Sequence, residues 1–163
     1  MQIINGQVNS QEHISFPIGI IVSLFNRTVT SALQDGAIQR LHARGFAAQD
    51  ILIIEVPGAI EIPIIAKQLA NSSWAQVIIV LGAVIRGETS HYDIVCQQVS
   101  HGCQSVSLMH SIPVVFGILT TDNELQAIHR AGGVCSNKGV EAVDCAISMY
   151  KIQNKIAAWN AKQ

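Results

Sequence analysis

The sequence predicts an α/β fold, a three-layer αβα sandwich around a four-stranded parallel sheet. Two observations carry this expectation. Short apolar runs and longer stretches of helical period alternate along the chain, strand then helix, four times over. The strand runs are continuous in Ile and Val rather than alternating, as in strands covered on both faces. In such sheets ligands bind beyond the carboxyl ends of the strands.

The first strand is expected over Pro17–Phe25, around the run Ile18-Gly19-Ile20-Ile21-Val22. A helix follows from Thr28 to Arg44, with Val29, Leu33, Ala37 and Leu41 on one face and Gly45 as its stop. Ile51–Val56 reads as the second strand, closed by Pro57-Gly58. Glu61–Ala70 is a helix that tolerates Pro63 in its first turn. Gln76–Val84 and Pro113–Leu119 are the third and fourth strands, and Ser90–Met109 is a long helix between them. Asp122–Arg130 is a short helix capped by Thr121 or Asp122, and Asn137–Trp159 is the last helix. Residues 1–163 make one domain, with 1–15 a polar N-terminal arm, disordered or bound to a partner.

Charge is scarce. Only 21 residues are charged, 10 basic and 11 acidic, where about 41 are usual for this length. A net charge of -1 and a pI near 6.6 argue against a nucleic-acid partner. A high apolar fraction argues against disorder. The longest apolar run, Val77 to Ile85, is nine residues and suits a buried strand rather than a membrane span. No Lys or Arg precedes Arg27, so no basic leader is expected, and the predicted location is cytoplasmic.

The missing charge is localised. Ile94 to Thr121 carries no Asp, Glu, Lys or Arg across 28 residues. The last helix gathers Glu141, Asp144, Ser148, Lys151 and Lys155 into one stripe roughly 80° wide. Helices apolar on most sides are buried on most sides, so other copies of the chain are expected to cover them. On this reading Val99→Lys or Cys103→Glu would break the assembly. Cys96, Cys103, Cys135 and Cys145 have no C-x-x-C spacing and read as buried, reduced thiols, with no metal site expected.

The segment Gly82-Ala83-Val84-Ile85-Arg86-Gly87-Glu88-Thr89 has the glycine spacing of a phosphate loop, but Glu88 stands at the lysine position. That acid would repel nucleotide phosphates, which rejects an NTPase. The turn still leads from a strand into a helix. Free N–H groups of Gly87, Glu88 and Thr89 and the helix dipole therefore make an anion site there. His91, in the first turn of that helix, is suited to shuttle protons beside the anion. Arg130 is suited to bind phosphate or to stabilise the end of its own helix. Phe25 is placed to stack on a flat ring, and Glu61 to accept from hydroxyl groups or to begin a helix.

These residues fall in longer motifs. Val56-Pro57-Gly58-Ala59-Ile60-Glu61-Ile62-Pro63 resembles the VPGAxE[IL]P segment of the 6,7-dimethyl-8-ribityllumazine synthase family. Leu81 through Asp93 is similar to its LGxVIRGxTxHxD signature, and Phe116-Gly117-Ile118-Leu119-Thr120-Thr121 and Asn137-Lys138-Gly139-Val140-Glu141 match as well. The resemblance spans Phe25-Asn26 to the last helix and implies a flavodoxin-like sandwich. It implies condensation of 5-amino-6-ribitylaminouracil with 3,4-dihydroxy-2-butanone 4-phosphate, in the penultimate step of riboflavin biosynthesis, without metal or organic cofactor. It makes His91 the proton-transfer residue and gives the phosphate to Gly87, Glu88, Thr89 and Arg130. Phe25 stacks on the pyrimidine, beside Asn26. Ala59, Ile60, Glu61, Ala83, Val84 and Ile85 line the ring and ribityl chain. Phe116, Arg130 and Lys138 come from a neighbouring subunit. It implies a pentamer, closed in some members into a sixty-subunit shell, with the helix from Ser90 at the fivefold axis and riboflavin synthase as a candidate partner. The chain departs from the pattern at Leu24 (Arg in some relatives), Ile60 (aromatic in some) and Ser136 (glycine in the usual turn). A pocket that only sequesters riboflavin or a lumazine is one competing reading, opposed by intact His91 and Arg130; a mainly structural shell is a second, separated by assaying assembled particles for lumazine fluorescence.

Overall fold

The computed structural model describes residues 1–7 and 13–162. Strand β1 (Ile18–Ser23), helix α1 (Arg27–Ala43), β2 (Ile51–Val56), α2 (Ile62–Asn71), β3 (Val77–Ile85), α3 (His91–His110), β4 (Val114–Thr121), α4 (Glu124–Arg130) and α5 (Lys138–Asn160) follow in the predicted order. All four strands run parallel, in the order β2-β1-β3-β4. The chain winds outward from β1 to β2, then reverses to β3 and β4. The switch point therefore lies between β1 and β3, where a ligand crevice is expected.

Strand periodicity divides the apolar side chains between two cores. Ile18, Ile20 and Val22 of β1 with Ile79 and Leu81 of β3 meet Leu33, Ala37 and Leu41 of α1 and Val143, Ala146 and Ile147 of α5. Ile21, Ile78 and Val80 face the other way, onto Ile62 and Ala66 of α2 and Val99, Cys103 and Val106 of α3. The sandwich thus has α1, α4 and α5 on one face and α2 and α3 on the other. Each fully buried Ile or Leu in these layers stabilises the fold by about 1.5–3 kcal/mol.

Several local expectations are corrected. The first strand stops at Ser23, so Phe25 lies beyond it, in a turn where its N–H donates to the Pro57 carbonyl at 3.1 Å. The cap of α4 is Asn123, whose side chain accepts from Gln126 N–H at 2.9 Å, rather than Thr121 or Asp122. A small hairpin, β5 (Ala131–Gly133) with β6 (Ser136–Asn137), fills the connection between α4 and α5, where no element is predicted. β2 pairs with β1 alone and leaves much of its length part-exposed, because it ends the sheet. Cys103 is buried and Cys96 half-buried, but Cys135 and Cys145 are exposed in the single chain, against the expectation of four buried thiols. Val99 and Cys103 face the chain's own core. Changing them to Lys or Glu would unfold the subunit rather than report on its assembly.

The polar stripe of α5 is partly covered by other segments of the chain. Asp144 accepts from Arg40 at 2.9 and 2.8 Å and from Arg44 at 3.2 Å, tying α5 to α1. Lys151 and Lys155 reach the carbonyls of Gln7 and Asn5, and Gly6 packs on Ser148. The described start of the arm therefore lies along α5 without regular structure, while residues 8–12 of the arm and Gln163 lie outside the described residues. Among the described residues no helix is long and apolar enough to cross a membrane, and no group of His, Cys, Asp or Glu is placed to hold a metal ion.

Candidate active site

A cleft of about 340 Å³ opens where the carboxyl ends of β1, β2 and β3 converge. Phe25 stands over it, 70 % exposed, as a ring awaiting a stacking partner would be. Ala83, Val84 and Ile85 at the end of β3 and Ala59 after β2 line it. Asn26 holds the turn after β1 in place. Its backbone takes a left-handed φ of 58°, which asparagine tolerates, and its side chain donates to the Ala83 carbonyl at 2.9 Å. Ile60 and Glu61 sit in a 3₁₀ turn at the entrance to α2 and do not line the cleft themselves. The Glu61 carboxylate folds toward Gly58, within 2.9 Å of where a Cβ there would sit.

The anion loop closes the cleft on the far side. Gly87, Thr89 and His91 line it, and Gly87 faces open space. The N–H groups of Gly87, Glu88 and Thr89 enter no hydrogen bond among the described residues. Glu88 is exposed and does not line the cleft. The Thr89 hydroxyl accepts from the His91 N–H at 3.4 Å, so His91 starts α3 with its exposed imidazole beside the loop. This loop-to-helix geometry supplies outward N–H groups and the positive end of a 20-residue helix.

Arg86 fixes the loop, a role that reading the sequence did not find. Its guanidinium lies 4.1 Å over the Tyr92 ring and pairs with Asp93 at 3.3 Å and Asp122 at 3.2 Å. Its backbone N–H also donates to the Thr121 carbonyl at 2.9 Å. The loop is therefore pinned to both α3 and the end of β4. Tyr92 lines the cleft, and burial raises its hydroxyl above the ordinary range, with the Cys96 thiol acting the same way. Arg86, Tyr92 and Asp93 stand inside the signature motif, but only the fold brings Asp122 to them.

The remaining predicted residues lie elsewhere. Phe116, Arg130 and Lys138 line a second cleft of about 660 Å³ between the outer edge of β4 and α5. The two clefts share no lining residue. In the single chain the Arg130 guanidinium turns back to the Gln126 carbonyl of its own helix at 3.4 Å. Lys138 pairs with Glu141. In the single chain the predicted site residues are thus divided between two separate clefts.

Fold and cleft together define a class, the α/β enzymes that bind small molecules at the carboxyl edge of a parallel sheet. The model of one protein family, described as 6,7-dimethyl-8-ribityllumazine synthase, matches residues 15–154. Three proteins of that name, from Coxiella burnetii strains CbuG_Q212, RSA 493 / Nine Mile phase I and Dugway 5J108-111, are each 52 % identical over 142 residues, covering 87 % of this chain and 94 % of theirs. The chain belongs to the 6,7-dimethyl-8-ribityllumazine synthase family. Its activity is accordingly a transferase step of riboflavin biosynthesis.

Proposed function

We propose that the chain condenses 5-amino-6-ribitylaminouracil with 3,4-dihydroxy-2-butanone 4-phosphate in sites completed by a neighbouring copy. The observation that carries this reading is the division of the site residues between two clefts with no common lining. Docking the β4 edge of one copy against the Phe25 cleft of the next would bring Phe116, Arg130 and Lys138 to His91. Phe25 then stacks on the pyrimidine over Ala83–Ile85, and Asn26 keeps that turn in register. The ribityl chain runs toward Ala59, Ile60 and Glu61. The N–H groups of Gly87, Glu88 and Thr89 hold the phosphate with Arg130. The amine attacks the ketone and an imine forms with loss of water. Phosphate then leaves, and ring closure expels a second water. His91 moves protons in these steps, and alignment of the two substrates lowers the rest of the barrier. Neither a metal nor an organic cofactor is called for.

Assembly follows from surfaces a lone chain leaves exposed. On α3, Ile94 is 49 % and Leu108 74 % exposed, flanked by Gln97, Gln98, His101 and Gln104 and no charge. We assign this face to the centre of a homo-oligomer, a pentamer or a shell of pentamers. The N-terminal arm is a candidate for contact with a neighbour, riboflavin synthase is a candidate partner, and the cytoplasm is the proposed location. Leu108→Glu, on that outward face, is expected to yield smaller species in analytical ultracentrifugation while the subunit stays folded by circular dichroism. An unchanged sedimentation profile would remove α3 from the interface.

The decisive experiment mixes two damaged subunits. His91→Ala and Arg130→Ala are each expected to be slow when assayed for lumazine fluorescence. If the sites are shared, co-expression restores intact sites, about a quarter of the total for random mixing. Activity that stays at the level of the two separate variants would place both residues in one subunit's site. Arg86→Lys loses the stacking on Tyr92 and the planar fork. It is expected to raise the KM for the phosphorylated substrate about ten-fold, or roughly 1.4 kcal/mol, with kcat little changed.

A further inference from the structure

The β5–β6 hairpin contains a local conflict. Ser136 has a φ of 77°, in the left-handed region that favours glycine. Its strain is offset by a specific contact, for its hydroxyl donates to Glu141 Oε1. The other oxygen, Glu141 Oε2, accepts from Lys138 Nζ. One carboxylate therefore joins the strained turn to the lysine that lines the Phe116 cleft. These two bonds, the lysine's first, hold the Glu141 carboxyl below its ordinary range.

The base of this bridge is rigid. The Asn137 amide donates to the carbonyls of Ala32 at 2.9 Å and Ala131 at 3.1 Å. Its oxygen accepts from the N–H groups of Gly139 at 2.8 Å and Val140 at 3.3 Å, capping α5. The Lys138 backbone is thus fixed, and only its long side chain is left to be aimed. Such an ammonium is flexible and strongly hydrated unless something holds it.

We propose that Glu141, anchored by Ser136, is a positioning residue that sets where the Lys138 ammonium stands in the cleft. The proposal rests on the reading that Lys138 enters the substrate site of a neighbouring copy, and it adds that the ammonium meets the phosphorylated substrate there. Glu141 touches no substrate itself. The carboxylate acts by narrowing the positions of the ammonium, and the serine acts by fixing the carboxylate.

A double-mutant cycle tests this, using Glu141→Gln, Lys138→Met, the double variant and the unaltered enzyme. Glu141→Gln is expected to raise the KM for the phosphorylated substrate about three- to five-fold, the range of an exposed ion pair, with kcat held. In the Lys138→Met background the same change is expected to shift KM by less than about two-fold, because the group it positions is gone. Ser136→Gly removes the hydroxyl but relieves the backbone. It should raise KM in the same direction without lowering Tm, which a purely structural role for the serine would not do. If Glu141→Gln does not assemble, Ser136→Gly decides. Additive effects in the cycle, or a KM that falls because the cleft has become more positive, would overturn the positioning role alone. A Lys138→Met variant with unchanged kinetics would overturn the assignment of Lys138, and the positioning role with it.

Discussion

Replacing His91 with alanine is expected to slow turnover by about 10²–10⁴-fold, the ordinary contribution of one general acid–base group, without abolishing it. The imidazole begins α3 beside the anion loop, open to the cleft that Phe25 covers. The imidazole is assigned proton transfer and the neighbouring loop the binding of phosphate, so KM should change little. The residual rate comes from the rest of the site, which holds two substrates in contact and makes a bimolecular condensation effectively unimolecular. Lumazine fluorescence under saturating substrates measures the loss, and sedimentation confirms that the variant is assembled. An assembled variant with no detectable product would shift the weight from alignment to the imidazole.

The largest expected loss of stability is at Gly139, in the first turn of α5. A Cβ there would sit 2.0 Å from the Leu33 carbonyl oxygen and 3.0 Å from Asn137 Oδ1. The nearer atom belongs to the α1 backbone, so no side-chain rotation relieves the clash, and α5 must move away from α1. Gly139→Ala is expected to cost about 3 kcal/mol, lowering Tm by roughly 6–12 °C. Gly87→Ala is the control, since nothing lies within 4 Å of its Cβ position. Its stability should be near that of the unaltered chain, even where phosphate binding suffers. Equal Tm values for the two variants would mean that α1 and α5 do not approach each other as described. Because α5 also carries Lys138, Gly139→Ala should depress activity as well.

Different parts of the molecule were legible to different degrees. The second strand has the predicted boundaries, Ile51–Val56, because a short aliphatic run broken only by Glu55 is bracketed by Asp50 and Pro57-Gly58. Phe25 follows an apolar run and so reads as strand, but the strand ends at Ser23 and the Phe25 N–H donates to the Pro57 carbonyl in the turn after β2. Glu88 and Thr89 both occur in the loop motif, but only Thr89 lines the cleft, a difference that spacing cannot express. The sequence reading puts Val99 and Cys103 of α3 against other copies of the chain. The structure turns them to the sheet instead and leaves Ile94 and Leu108 on the outer side, because helical period gives a face but not its partner. The spacing on α5 shows a polar stripe but not its partners, since Arg40 and residues 5–7 lie more than a hundred positions away.

The sequence by itself determined the order of elements, the glycine turn into a helix with its imidazole, and the motifs that mark the family. Those are local properties, set by side-chain periodicity, turn chemistry and residues close together in the chain. Only the tertiary structure decided which remote residues meet. The crossover that puts β1 between β2 and β3 creates the crevice under Phe25. The same winding leaves β4 at the sheet edge and carries Phe116, Arg130 and Lys138 into a separate cleft. Loop closure across dozens of residues has no signature in any one segment. It is settled by which apolar faces can be buried together, and that sum exists only in the folded chain.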